Sequence, residues 1–526
     1  MFIIKPQRKR ALGLNEPLRH GSHKRPVTRR DFLAQGFTAG TATVVAPSLM
    51  MPRRAAADLD PGLNADLVAC GITGLGDNAK IPFICFDLAG GANIAGSNVL
   101  VGQRGGQLDF LSTQGYSKLG LPGNMLPNNS QVDYVDTQFG LAFHADSAFL
   151  RGMLEKTSEA TRANVNGAVI AARSENDTGN NPHNPMYALA RYGVKGKLLT
   201  LIGSQNSDSG GNSMAPARYM DPQFRPTKID RVRDVIGLVD TGDVATVLSA
   251  DDTVRTLEAM YHVSRRKLER VSTRLTDNVD VNGVIMTRDA AIKRQLSCAY
   301  LKTAYTIDRF GDPAALNPAA DPRITNLFGG PNFSNDNEFE KTASIMKLVI
   351  DGNAGAGTIT MGGFDYHTGE RATGESRDLR AGRCIGACLE YAALVGVPLM
   401  IYVFSDGSLS SNGRIDDSIG GRGKGEWTGD NQQTAASFFL VYNPLGRPAL
   451  LDADNPAAAA LHQQIGYYSA GGDVVTSSSP AANNVNLLVE TVLLNYMALH
   501  GDEGSYAGPL GNPSGLRGLI AFERIV

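Results

Sequence analysis

The sequence predicts an α/β fold with a largely parallel sheet, and three observations carry that prediction. Short apolar runs alternate along the chain with amphipathic segments of helical spacing. Several of those runs end in an acid or a glycine, the pattern of a strand breaking into a tight loop. Hydrophobic residues make up 42% of the chain, enough for a large core, and 59 glycines, many of them among Asn and Ser, mark long ordered surface loops.

The elements follow in chain order. Residues 81–86 form an apolar strand that runs into Asp87 and a Gly pair. Val165 to Ala172 and Leu198 to Ile202 read as further strands. Val254, Leu257, Tyr261, Leu268 and Val271 recur at helical spacing, which predicts a surface helix over 253–271 with one apolar stripe. Thr358 to Met361 is a strand leading into Gly362-Gly363-Phe364, residues 376–395 form a helix, and Pro398 to Phe404 is a buried strand that breaks at Ser405-Asp406-Gly407. In open sheets of this kind ligands bind beyond the carboxyl ends of the strands, so strand-end residues are where chemistry is sought.

A segment of another kind precedes the first strand. A basic arm with Lys5, Arg8, Lys9, Arg10, Arg19, Lys24 and Arg25 leads to Thr28-Arg29-Arg30-Asp31-Phe32-Leu33, and Ala55-Ala56-Ala57 follows Arg53 and Arg54. Between them, Gly36 to Met50 is too short and too polar to span a bilayer, which takes about 20 apolar residues. This order predicts a twin-arginine signal over 1–57, with the Tat translocase as partner during export and a periplasmic or extracellular destination. Residues 58–526 are then expected as a single domain, with no stable membrane span. They carry 39 basic against 50 acidic side chains, which excludes an electrostatic case for nucleic-acid binding.

The five cysteines, Cys70, Cys85, Cys298, Cys384 and Cys388, form no metal motif. Cys384 and Cys388 fall four apart on one predicted helix, a poor geometry for a mutual bridge, so buried thiols are expected.

Two strand ends offer chemistry. Asp365 and His367 are two apart, and on continued strand geometry they share a side. A carboxylate and an imidazole there suit a divalent metal or an acid–base pair, whereas in a solvated loop His367 merely packs on Phe364 or Tyr366. Asp406 is either a metal ligand or a cap for the following turn.

Together, the Arg-Arg signal, the Gly362-Gly363-Phe364-Asp365-Tyr366-His367 segment, the helix after it and the strand ending at Phe404-Ser405-Asp406 resemble the DUF1501 family. These are exported bacterial proteins related to the alkaline phosphatase and sulfatase superfamily, and the resemblance covers most of residues 75–445. It implies an alkaline-phosphatase-like three-layer α/β/α sandwich. It also implies one or two divalent metals (zinc, calcium, magnesium and manganese are not distinguished) beside a Ser or Thr nucleophile, and a small anionic ester as substrate. The family's Gly-Gly-Trp-Asp-Thr-His segment is matched here with Phe364 and Tyr366 substituted. Its Ser-Glu-Phe-Gly-Arg-Thr block falls on Ser405 to Ser410, and its Gly-Thr-Asp-His-Gly block on Thr428 to Gln432. Its early Gly-Gly-Pro-Ser turn and Asp-Thr pair fall on Gly90 to Asn93 and on Gly96-Ser97.

On this carry-over, Asp365, His367, Asp406 and Asp430 hold the metal and Ser97 stands at the nucleophile position, or is a loop hydroxyl. Asp87 is the acid that can replace the one missing at Gly96, and His183, in the rigid polar loop 180–185, reaches the site. Asn431 replaces a His, and an amide is a much poorer zinc ligand than imidazole. Two functions follow. One is a metal-assisted hydrolase of phosphate or sulfate esters; the other is a non-catalytic envelope binding or assembly protein linked to a secretion pathway. Asp365 and His367 favour the first, and Asn431 and Gly96 the second. His144 is expected at a helix start, His262, His462 and His500 as surface or core residues, and Trp427 as a packed loop anchor.

Overall fold

A computed structural model describes residues 63, 66, 80–127, 133–174, 181–238, 250–281, 284–310, 316–512 and 515–526. The predicted signal over 1–57 lies outside the described residues. The chain divides into two compact units, Thr73–Asp240 with Pro313–Val526, and Met1–Ile72 with Thr241–Asp312. The sequence reading did not separate 241–312 from the rest.

The larger unit is built on eight strands: β1 (Phe83–Leu88), β2 (Val165–Ile170), β3 (Leu199–Gly203), β4 (Thr227–Lys228), β5 (Ala354–Met361), β6 (Leu399–Ser405), β7 (Ser437–Tyr442) and β8 (Gln464–Ile465). Their spatial order is β8-β2-β7-β6-β1-β5-β3-β4. Only β7 runs against its neighbours, β6 and β2; every other pairing is parallel. The predicted mixed fold with a mostly parallel sheet is therefore what the chain adopts.

Helices cover both faces, which explains why the inner strands read as nearly unbroken apolar runs rather than alternating ones. On one face Phe83, Cys85, Tyr402, Phe404, Phe439 and Val441 pack with α2 (Met186–Arg191) and with the C-terminal α7 (Val485–Ala498). On the other lie α1 (Ala148–Leu154), α5 (Asn337–Ile350) and α6 (Arg371–Val395). Glycines set how closely these approach. A Cβ on Gly357 of β5 would stand 2.5 Å from Ile345 Cγ2 of α5, and one on Gly382 of α6 would stand 2.2 Å from the Phe149 carbonyl oxygen of α1. Along α6 the buried residues Arg371, Glu375, Asp378, Gly382 and Gly386 recur every three or four positions, so a polar and small-residue stripe forms its inner face.

The smaller unit contains α3 (Ala250–Glu269) and α4 (Arg288–Phe310), joined through a two-stranded ribbon of Asn278–Val281 and Val284–Thr287. Leu63, Tyr261 and Leu301 form its small core. The expected helix over 253–271 is α3, placed a few residues earlier because Val271 lies beyond its end. Cys298 is disulfide-bonded, a correction to the expectation of thiols throughout; Cys85, Cys384 and Cys388 are free and buried. Among the described residues no helix is long and apolar enough to cross a membrane.

Candidate metal centre

The carboxyl ends of β1, β5 and β6 lie side by side, and the loops that leave them are tied together by backbone bonds. Ala89 donates its N–H to the Met361 carbonyl and Phe364 donates to the Ala89 carbonyl, so the loop after β1 and the Gly-Gly-Phe-Asp segment after β5 run in contact. Gly90 takes φ +116°, and a Cβ there would lie 2.8 Å from the Asp365 nitrogen. A glycine at this point is what lets the two loops close up. Beside them, Leu409 pairs with Asp430 in a two-residue ribbon.

This arrangement brings three of the predicted residues together. Asp365, His367 and Asp430 each offer a ligand atom, all within 4.8 Å of one another, and they are the one such group of three among the described residues. His367 Nδ1 lies 3.2 Å from Asp365 Oδ1 and 3.5 Å from Asp430 Oδ1. The side chains keep 60% (Asp365), 44% (Asp430) and 27% (His367) of their exposure, so the group opens to solvent. Asp365 and His367 reach it from the loop beyond β5, which ends at Met361, rather than by continued strand alternation. One imidazole and two carboxylates form a donor set that suits a divalent cation and leaves further positions for water or substrate. Behind the group, Arg377 of α6 donates from Nη1 to the Gly362 carbonyl at 3.2 Å.

The other predicted ligands go elsewhere. Asp406 is buried; its Oδ1 accepts from the Gly90 N–H at 2.8 Å and its Oδ2 from Asn212 Nδ2 at 3.0 Å. Asp87, also buried, continues the Phe83–Cys85 face of β1 and accepts from the Ser213 N–H at 2.8 Å and the Ser213 hydroxyl at 3.2 Å. Loss of water pushes its carboxyl up to about 7, helped by the neighbouring Asp406 charge and opposed by the Ser213 bonds. His183 is buried against the Phe404 ring, 5.8 Å between centroids, with no hydrogen-bond partner for either ring nitrogen among the described residues. Burial lowers its pKa to about 3, so it is neutral. Asp87 and Asp406 tie loops together, His183 packs on Phe404, and none of the three belongs to the exposed group.

Ser97, the expected nucleophile, is 1% exposed, and its hydroxyl accepts a hydrogen bond from Asn93 Nδ2. Neighbouring Asn98 donates to Asp378 Oδ2 at 2.7 Å, and the Tyr366 hydroxyl donates to Asp378 Oδ1 at 2.7 Å while accepting from the Asn93 N–H. Burial raises the Asp378 carboxyl to about 7. Ser97 thus belongs to an internal polar network that fixes the loop after β1 to Tyr366. Gly96 has φ +83°, and a Cβ there would collide with Leu119 Cβ at 2.4 Å, so the position cannot carry the family's acid. Asn431 accepts from the Gln433 N–H at 2.9 Å and starts a turn, which occupies its side-chain oxygen.

Asp378, Asn98, Asn93 and Arg377 were not singled out in the sequence. For Asp378 the signal was the three- and four-residue spacing of charged and small residues along α6, which marks an inner face; the loop residues Asn93 and Asn98 carry no such pattern. His144 was misplaced: it sits in a short strand, buried, stacked on Tyr134, with Nε2 2.9 Å from the Met125 carbonyl oxygen, while Ser147 caps α1. Trp427 is buried with the Arg371 guanidinium over its ring at 4.7 Å, a packed anchor as expected.

Compared with protein-family models, curated proteins and solved structures, the chain gives no match in any of the three. The resemblance to the DUF1501 family rests on the motifs quoted above.

Proposed function

We propose that this chain is an exported protein of the DUF1501 type, with an alkaline-phosphatase-like sandwich, and that it acts as a metal-assisted hydrolase of phosphate or sulfate esters. The observation that carries the reading is the open group of Asp365, His367 and Asp430 at the strand ends. A divalent cation held there would supply Lewis-acid polarisation of the ester and activation of water. Asp365 and Asp430 neutralise the charge and His367 fixes the coordination geometry, while the Arg377 guanidinium beside Gly363 favours an anionic substrate. Ser97 is not the nucleophile in this reading, because its hydroxyl is buried and bonded to Asn93. Water would attack the phosphorus or sulfur atom instead, breaking the ester bond and releasing the alcohol and the inorganic anion. The Cys298 disulfide supports an oxidising destination, in keeping with export.

One observation favours the second reading, a non-catalytic envelope binding protein. Three of the polar groups expected at the site, Ser97, Asp406 and Asp87, are engaged in holding loops. The test is turnover of p-nitrophenyl phosphate and p-nitrophenyl sulfate before and after chelation. Activity that chelation removes and one divalent metal restores supports the hydrolase. Absence of turnover with every metal tried, on protein that binds metal, leaves the binding protein.

A further inference from the structure

The ribbon end of the α3–α4 hairpin differs in charge and surface from the rest of the chain. Residues 263–296 hold eight basic and four acidic side chains, whereas residues 58–526 as a whole hold 39 basic and 50 acidic ones. Part of that positive charge is spent internally: Arg265 pairs with Asp66, Arg288 with Asp277 and Lys293 with Asp289. Arg266, Arg270 and Arg274 are exposed or at the helix end and have no acidic partner among the described residues. Arg274 stands at φ 62° in the connection after α3, a conformation that L side chains seldom adopt.

Aliphatic side chains are exposed among these cations. Ile285, on the ribbon opposite Asp280, is 73% exposed, Val271 is 54% exposed and Leu296 50%; Val263 and Leu275 are exposed as well. They are five of the twelve large apolar residues exposed in the described chain, gathered within 34 consecutive positions. Nothing in the small core of Leu63, Tyr261 and Leu301 reaches out to cover them.

We infer that this end of the hairpin docks on an anionic phospholipid surface, with Ile285 and Val271 entering the interface and Arg266, Arg270 and Arg274 meeting lipid phosphates. Charge complementarity selects an anionic partner, since three cations have no acidic partner among the described residues of an otherwise acidic chain. The apolar chemistry selects a lipid over a protein. Protein interfaces centre on aromatic anchors in pockets, and residues 263–296 contain no Phe, Tyr or Trp. Exposed aliphatic side chains on the same hairpin as unpaired arginines suit shallow insertion between headgroups. This inference is independent of the hydrolase reading.

The test uses the full chain with Ile285→Trp as a reporter, because the native Trp427 is buried and gives a constant background. The reporter senses the hairpin end itself and so is separate from any membrane binding by the basic N-terminal arm. On phosphatidylglycerol vesicles its emission is expected to move to the blue and to become shielded from an aqueous quencher; on phosphatidylcholine it stays unchanged. Reversing Arg266, Arg270 and Arg274 to Glu lowers partitioning by at least about 100-fold, at roughly fivefold per cation. Salt at about 1 M, where screening acts within about 3 Å, releases the unreversed reporter without any further substitution. No shift on phosphatidylglycerol, or a shift that charge reversal and salt leave intact, overturns the inference. A shift that grows with protein concentration and needs no vesicles also overturns it, and assigns the surface to a second copy of the chain.

Discussion

Two sets of acids stand around the same strand ends, and their surroundings give them different work. Asp365 and Asp430 lie open to solvent, each with an oxygen beside His367 Nδ1. Asp87, Asp406 and Asp378 are buried, and each accepts bonds from the loops it supports: Ser213 on Asp87, Gly90 and Asn212 on Asp406, Asn98 and Tyr366 on Asp378. A buried carboxylate without such donors would be too costly to keep. The contrast separates strand-end acids whose oxygens are taken up by neighbouring loops from acids that stand in an open group with an imidazole.

Substitutions on the buried side are expected to act on stability, and those on the open side on metal. The largest effect falls on Asp406→Ala, which leaves the Gly90 N–H and the Asn212 amide without their acceptor. Losing two hydrogen bonds to a buried carboxylate costs about 3 kcal/mol, part of it offset by relief of the repulsion with Asp87, and urea unfolding measures it. Unchanged stability with metal lost would instead place Asp406 among the ligands. Gly90→Ala joins the two sets, because its strained φ and the 2.8 Å approach to the Asp365 nitrogen push Asp365 out of place. It is expected to cost about 2 kcal/mol and to weaken metal binding about tenfold, read by melting and by metal titration of one sample. Ser97→Ala is milder, about 1 kcal/mol for the lost bond with Asn93, and leaves ester turnover unchanged. Abolished turnover in a stable Ser97→Ala protein would restore the serine as nucleophile.

The smallest effect is one of pH. The Asp87 carboxyl titrates at about 7 in the fold, above its ordinary value, so the folded chain holds a proton that the unfolded chain has released. Its contribution to stability is present below the ordinary carboxylate range and is lost as pH rises towards 7. Asp87→Asn removes that loss. The stability of the variant relative to the parent should therefore increase between about pH 4 and 7 and stay constant above, whatever fixed cost the new amide carries against Ser213. His183, His144 and His500, all lowered by burial, act in the opposite sense, losing stability as pH falls through the ordinary histidine range. A difference between variant and parent is therefore the quantity to follow. A flat difference would mean that Asp87 is ionised throughout.

Much of this fold could be read from residue order. The strands at 83–88, 165–170, 199–203, 354–361 and 399–405 stand where apolar runs announced them, because burial on both faces writes a continuous signal. The reversal of β7 was not readable. Ser437–Tyr442 is as apolar as its parallel neighbours, and direction depends on where the chain crosses, which local pattern does not encode. The open half of the site was readable, since Asp365 and His367 follow a strand and Asp430 falls on the family's Gly-Thr-Asp-His-Gly block. The buried half was not, because it depends on Asn212 and Ser213, brought in from the long loop after β3, and on Tyr366, whose hydroxyl reaches Asp378 in α6. Polar side chains that meet across different loops leave no periodic trace.

The most direct test of the open group is the metal content of the purified chain and of its Asp365→Ala variant, measured together with their melting temperatures. About one divalent metal per chain in the parent, absent from a variant that melts within a degree or two of it, is the expected result. Equal metal in both, or none in either after incubation with zinc, manganese, magnesium and calcium, would contradict the assignment of Asp365, His367 and Asp430 as a metal centre.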